Sequence, residues 1–379
     1  MQSFPSRRAL ATAAVFILAM LLSLAAFAVR GAGVGDRFDF LRWEVTTLPN
    51  KWLDRLGSPL RDHPDSDDAV RRYFALEDRD SEEGRALENE VESVIEGRVD
   101  AVLQELGAGW PYLPFGVWPP VDGELAGSPR VLVVSPRDRI ARLDTDTLRP
   151  DLSREEAEAL ERAVEARHED RSALVVGTGG LSLYPAVISN RDDYQETVDT
   201  VAHEWAHHYL AVFPLGLEYF RSDDTRTINE TVADLVGSEV ARLVVERWPL
   251  EAPGPATPTP VPAPTTAPSP PALDFNATMR DLRTEVDALL AAGRIEDAER
   301  RMDEVRVQLN DAGYPVRRIN QAYFAWYGTY AARGDSVDPL GGQLRDLRQR
   351  SGSLARFLEA VRDATSRDDV AALLASPSE

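Results

Sequence analysis

Cysteine is absent from the 379 residues. No disulfide can staple the fold, no thiolate can hold a metal, and any bound metal must take imidazole and carboxylate ligands. Histidine is scarce too, with five residues in all and none after His208. A site needing several imidazoles therefore cannot be completed from the last part of the chain. Positive charge is in deficit: 42 Lys and Arg stand against 63 Asp and Glu, a formal charge of −21. Such a balance repels phosphate backbones, so nucleic acid is excluded as an expected partner. Apolar and aromatic residues are not lacking. The 43% hydrophobic content, with seven Trp, ten Tyr and twelve Phe, belongs to folded rather than disordered chains. The length exceeds one usual domain, so a main globular unit with appended parts is expected.

One long apolar run is present, from Ala9 to Val29, broken only by Thr12 and Ser23 and preceded by Arg7 and Arg8. It has roughly the 20 residues that a bilayer-spanning helix requires. The basic flank favours a cytoplasmic N-terminus, so residues 1–31 read as a short cytoplasmic stub and a single-pass anchor, with everything after Arg30 extracytoplasmic. Ala26-Phe27-Ala28 also fits a small-x-small cleavage signal, which would release the rest as a secreted protein, although the apolar run is longer than the core of a typical signal peptide.

From Asp67 to Leu106 the apolar residues Val91, Val94, Ile95, Val99, Val102 and Leu103 recur at helical spacing, predicting one or two amphipathic helices. The aromatic and proline-rich segment from Trp110 to Pro120 cannot be regular helix and is expected to pack irregularly on the core. Val131–Val134 and Ala173–Val176 read as buried strands. Between them Arg154–Arg167 reads as a helix, with Ser153 as N-cap and Glu156 as its capping-box partner. Leu181–Ile188 reads as a strand that Pro185 confines to a sheet edge. Helices are expected from Glu196 to about Phe213, stopped by Pro214 and Gly216, and from about Ile228 to Val244. Residues 251–273, rich in Pro, Ala and Thr, read as an extended linker or insertion. The remainder, 274–379, is expected to be helical: Leu282, Val286, Leu289 and Leu290, then Gly293, then Ile295, Ala298, Met302, Val305 and Leu309 give an αα-hairpin pattern.

His203-Glu204-Trp205-Ala206-His207 puts two imidazoles four residues apart on one face of a helix that periodicity indicates independently. Both can ligate one ion. Zinc accepts neutral imidazole, and a catalytic site uses three protein ligands and keeps a fourth position for water. Glu204, beside the first ligand, is placed to take a proton from that water. No histidine remains downstream, so a carboxylate must complete the set. Asn229-Glu230-Thr231-Val232-Ala233-Asp234 offers Glu230, with Asp234 one turn later on the same face.

The pairing of HExxH with a downstream Asn-Glu-x-x-x-Asp resembles the gluzincin, or thermolysin-like, metallopeptidases. The resemblance covers residues 173 to 245. It implies one zinc ion per chain on His203, His207 and Glu230, with Asp234 orienting His203. It also implies a peptide or protein substrate hydrolysed with Glu204 as general base. Family members add a donor for the tetrahedral oxyanion from the part of the chain after the second motif. No histidine is available there, so Tyr323 and Tyr327 are the leading candidates and Tyr330 the third, within the aromatic stretch Ile319–Gly328 and just beyond; core packing is their plainer reading. The edge from Gly179 to Ile188, before the HExxH helix, could pair with an extended substrate backbone, or be an ordinary edge blunted by Pro185.

The expected architecture is α+β: a zincin-like catalytic unit over residues 32–250 with a small mixed sheet and the HExxH helix, followed by the helical C-terminal part. Two other readings stay open. One is an anchored binding or scaffold protein that keeps a structural metal; the other is a zinc hydrolase acting on non-peptide amides or esters.

Overall fold

In the computed structural model the described residues are 35–40, 43, 67–108, 116–250 and 273–376. The apolar run at 9–29, the tract at 252–271 and His63 lie outside them. No helix among the described residues is long and apolar enough to cross a membrane.

The predicted helical stretch after Asp67 forms two helices, α1 (Asp67–Ala75) and α2 (Glu82–Leu103), the second opened by Ser81, whose side chain accepts the Gly84 N–H at 3.1 Å. Six strands follow among the described residues: β1 (Gly123–Ala126), β2 (Arg130–Pro136), β3 (Asp144–Leu148), β4 (Arg171–Gly177), β5 (Gly180–Leu181) and β6 (Ala186–Ser189). They form two three-stranded sheets, an antiparallel one in the order β3-β2-β4 and a mixed one in the order β1-β6-β5, in which β1 runs parallel to β6. The two runs read as buried strands pair with each other, Val131 opposite Val176 and Val134 opposite Ala173. The helix α3 (Arg154–Arg167) between β3 and β4 carries the Ser153–Glu156 capping box.

β2 and β4 are apolar on both faces because both faces are covered. Leu132, Val134, Ala173 and Val175 pack towards α3, while Val131, Val133, Leu174 and Val176 pack towards three helices from beyond residue 273: α7 (Phe275–Ala291), α8 (Ile295–Asp311) and α9 (Gln321–Tyr327). The αα-hairpin turns at Gly293, whose φ of 72° lies in the left-handed region that glycine adopts without a Cβ clash. The last helices, α10 (Leu340–Arg350), α11 (Leu354–Val361) and α12 (Arg367–Ala375), join a different core with α2 and the two site helices α4 (Tyr194–Leu210) and α6 (Asp223–Arg247). The segment after the Pro-rich tract thus contributes to two cores. Its first half completes the antiparallel sheet and its second half completes the helical core.

Three of the four sheet edges are covered in a specific way. On β1, Glu92 and Glu96 of α2 accept the N–H groups of Leu125 at 2.7 Å and Gly123 at 3.0 Å. On β4, Glu161 and Glu165 of α3 do the same for Val175 at 2.7 Å and Ala173 at 3.1 Å, and Arg317 and Asn320 bind the carbonyls of those two residues. Each pair is one helical turn apart, which matches alternate strand residues pointing the same way. On β3, Phe38 donates to Thr147 and Arg149 donates to Asp36. The remaining edge is β5.

The expected edge strand over Leu181–Ile188 is corrected here. The run splits at Ser182–Pro185, so that Pro185 falls between two short strands, and β6 sits in the middle of its sheet with β1 and β5 on either side. Only β5 is an edge. Ser189 donates to the Gly179 carbonyl at 2.8 Å, so the antiparallel alternation turns the N–H and C=O of Gly180 away from β6.

Candidate metal centre

The helix α4 is capped by Asp193, which forms a capping box with Glu196, and starts at Tyr194, two residues before the start expected from periodicity. It ends after Leu210, and a short turn, α5 (Pro214–Leu217), leads to Ser222, the N-cap of α6. α4 and α6 pack against each other closely because α6 carries Gly237: a Cβ there would come within 2.6 Å of Asp199 Oδ1 and 2.8 Å of its carbonyl oxygen. Trp205, 1% exposed, faces the opposite side and donates its indole N–H to the Pro119 carbonyl at 2.8 Å. The end of the aromatic and proline-rich segment thus anchors the HExxH helix.

These contacts bring the side chains named from sequence together. His203 Nε2 and His207 Nε2 are 3.0 Å apart, and Glu230 Oε2 lies 3.5 Å from the first and 3.6 Å from the second. Tetrahedral zinc with bonds of about 2.0–2.2 Å separates its ligand atoms by roughly 3.3–3.6 Å.

The outer ring nitrogens fix which atoms face inward. His207 Nδ1 is 2.7 Å from Asn229 Oδ1, and Asn229 is oriented by donating its amide to the Leu215 carbonyl at 3.1 Å. That oxygen can only accept, so His207 Nδ1 carries the hydrogen. His203 Nδ1 faces the Asp234 carboxylate at 3.3 Å and carries its hydrogen by the same argument. Both neutral rings then turn bare Nε2 lone pairs towards each other and towards a carboxylate oxygen. Three lone pairs at such distances repel unless a cation sits among them, so the residues fit a metal ion.

In the metal-free protein a proton on His203 serves as that cation. Burial works against charging His203, but hydrogen bonds to Asp234 and Glu230 outweigh it and raise its pKa well above the ordinary value. Burial likewise works to raise Glu230, yet His207 and His203 hold it well below the usual carboxylate range. Glu204 is different: burial raises its pKa, with His207 and His203 opposing and Glu230 adding to the rise. A carboxyl that is buried, raised and outside the ligand group has the character of a proton carrier. Gly180 packs directly on it, since a Cβ at Gly180 would be 2.5 Å from Glu204 Oε1.

The centre lies in an open cleft of about 1300 Å³, and Gly179–Tyr184, Tyr219, Tyr327 and Tyr330 are among its walls. Tyr219 hydrogen-bonds Glu230 Oε1, the oxygen that does not face the histidines. The tyrosines proposed from sequence separate. Tyr323, 9% exposed, packs among the apolar side chains above the antiparallel sheet and does not line the cleft. Tyr327 reaches the cleft wall with its ring against Tyr323 at 4.5 Å and beneath the Arg333 guanidinium. Tyr330 has its ring 6.4 Å from that of His203; burial, then Glu230, raises its pKa well above the ordinary value. Its hydroxyl has no hydrogen-bond partner among the described residues.

Sequence reasoning did not assign roles to Asn229 and Tyr219. Asn229 could have been read from its place in the second motif. Tyr219 sits in a turn without periodicity, and nothing in the sequence points to it. His208, beside a ligand, is buried rather than on the surface: it donates to the Leu183 carbonyl at 2.6 Å, and burial lowers its pKa to about 4. Its neutral ring ties the connection between β5 and β6 to α4. His168 ends α3 and is exposed. No protein-family model, curated protein or solved structure matches the chain.

Proposed function

We propose that the chain is a zinc-dependent peptidase of gluzincin type, holding one zinc on His203, His207 and Glu230 and hydrolysing peptide bonds with Glu204 as general base. The observation that carries this reading is the convergence of three donor atoms in a cleft where a further carboxylate, Glu204, stays out of the ligand group. A purely structural zinc would take a fourth protein ligand, and no fourth His, Cys, Asp or Glu joins the group among the described residues.

Zinc, when bound, supplies Lewis acidity to a carbonyl and lowers the pKa of water. Glu204 takes the proton from the attacking water and returns it to the leaving amine, a role its raised pKa suits. Tyr330, with its free hydroxyl, is placed ahead of Tyr327 and Tyr323 as donor to the oxyanion. Tyr219 keeps Glu230 turned so that one oxygen faces the histidines. Asn229 and Asp234 hold the two rings in the tautomer that leaves Nε2 free. A peptide, rather than another amide or ester, is supported by β5: the uncovered edge directs the Gly180 N–H and C=O into the cleft beside Glu204, where an extended backbone can add as a strand.

The test is elemental analysis of the full chain purified in detergent, for the wild type, His203→Ala and Glu230→Ala, followed by a peptide-library digest with wild type and Glu204→Gln. One zinc per chain, lost in both ligand variants, and cleavage lost in Glu204→Gln with zinc retained, are expected. A folded wild type without zinc, or an active Glu204→Gln, would remove the reading.

A further inference from the structure

Five arginines line the cleft, an unusual gathering in a chain with an acidic excess of 21. Three are neutralised by carboxylates: Arg37 pairs with Asp146 at 3.0 Å, Arg226 with Asp223 at 2.6 Å and Arg333 with Asp335 at 3.0 Å. Arg345 is exposed and donates to the Ala332 carbonyl. Arg142 differs from all of these. It is half-buried, and among the described residues it has no carboxylate partner. Its Nε is buried without a hydrogen-bond acceptor.

Its position is nevertheless fixed. The guanidinium lies 4.7 Å from the centre of the Trp326 ring and donates through Nη2 to Thr329 Oγ1 at 3.1 Å. Thr329 precedes Tyr330, and the charge of Arg142 is close enough to oppose the rise in pKa of both Tyr330 and Tyr219. A half-buried cation held on an aromatic face, with donors left over, carries a desolvation cost that an arriving anion offsets. Guanidinium geometry matches a carboxylate through two parallel hydrogen bonds.

We propose that Arg142 is a specificity residue that holds a substrate carboxylate beside the metal centre, so that the preferred substrates are peptides carrying an acidic side chain or a free C-terminus close to the scissile bond. This rests on the peptidase reading above. The neutral lining that an apolar-selective pocket requires is interrupted here by a fixed charge. Discrimination arises because an uncharged isostere leaves the half-buried guanidinium without a counter-charge.

The test compares matched blocked octapeptides in which Glu is exchanged for Gln at each position in turn, and a second set with a free or amidated C-terminus. The specificity constant is measured with the zinc-loaded full chain. At least one pair should favour the carboxylate by about tenfold or more. The ratio should fall to about one in Arg142→Gln and be kept in part by Arg142→Lys, which retains charge without the fork. The position of the discriminating pair tells a side chain from a terminus. Equal cleavage of all pairs, or a preference that survives Arg142→Gln, would overturn the proposal while leaving the peptidase reading in place. If nothing is cleaved, that reading falls, and the same peptides are titrated calorimetrically into Glu204→Gln with and without Arg142→Gln. Binding of the carboxylate peptide that depends on Arg142 upholds the anion site, and its absence overturns it.

Discussion

Replacing Gly180 by alanine separates metal binding from proton transfer, because the new methyl group presses first on the base, and its three nearest atoms belong to no proposed ligand. Its Cβ would lie 2.5 Å from Glu204 Oε1, 2.8 Å from Thr200 Cγ2 and 2.9 Å from the Val187 carbonyl oxygen. The closest of these is about 1 Å inside the optimum separation of non-bonded heavy atoms. The Val187 oxygen belongs to the ladder that holds β5 on β6 and cannot retreat without opening the sheet, so the carboxylate has to move. A displacement of about 1 Å at a reacting group costs on the order of 100-fold in rate. We therefore expect Gly180→Ala to bind one zinc with wild-type affinity, to lose about 1–3 kcal/mol of stability through overpacking, and to cleave peptides about 100-fold more slowly, the loss falling in kcat. Zinc content by elemental analysis, denaturant unfolding and steady-state kinetics on one peptide give the three readings. A variant with kcat within threefold of wild type, folded and zinc-loaded, would refute the placement of Glu204 as the proton carrier.

Other perturbations address the supports of the centre. Asn229→Ala removes the acceptor that fixes the His207 ring and should weaken zinc binding by about 10- to 100-fold in competition with a chelator. Tyr219→Phe removes a charge-assisted donor to Glu230, a contact worth about 1.5–3 kcal/mol, so zinc affinity should fall on the order of tenfold in the same assay. Trp205→Ala empties a fully buried site on α4 and should destabilise the protein by about 3–5 kcal/mol in urea unfolding. Asp199, raised by burial to about 6 with His203 opposing and Asp234 adding, gives a pH signature in the metal-free protein. Its folded pKa exceeds the unfolded one, so the folded state binds the extra proton, and the stability this confers is present at low pH and lost as pH rises through about 6. Asp199→Asn should flatten that slope between about pH 4 and 6, by up to about 3 kcal/mol.

Much of the centre was legible in the sequence because helical spacing is a geometric statement. Two histidines at i and i+4 must share a face, and Glu230 and Asp234 on a second amphipathic helix must do the same. The absence of histidine beyond His208 then removed other choices for the third ligand. Periodicity also placed the buried strands around Val131 and Ala173 and the hairpin about Gly293. It failed where position depends on long-range packing. Tyr323, Tyr327 and Tyr330 lie within eight residues, and their order of approach to His203 is set by how α9 and the following turn dock on the sheet, which local spacing does not encode. Tyr219 and Arg142 come from connections between elements, where no period exists. At Leu181–Ile188 a proline in an apolar run reads as a blunted edge, whereas the chain turns there and the strand beyond it is central.

The division of labour in the cleft follows from those origins. The three proposed metal ligands stand on two helices locked by Gly237 and Trp205, which are rigid supports for a site needing tight geometry. Nearly everything positioned to meet a substrate belongs to connections or a two-residue strand: Arg142 between β2 and β3, β5, Tyr219 before α6, and Tyr330 after α9. Substitutions in the second group should alter which peptides are cleaved without loosening the zinc, Tyr219 excepted, since it alone touches a ligand. The Glu92–Glu96 and Glu161–Glu165 pairs complete the arrangement by sealing β1 and β4, so that backbone pairing is left to the edge beside Glu204. Replacing Glu161 and Glu165 by alanine should then uncover a second edge at Ala173 and Val175, which do not line the cleft. The expected result is self-association by light scattering with no change in the cleavage pattern; a changed pattern would mean that substrate reaches β4 as well as β5.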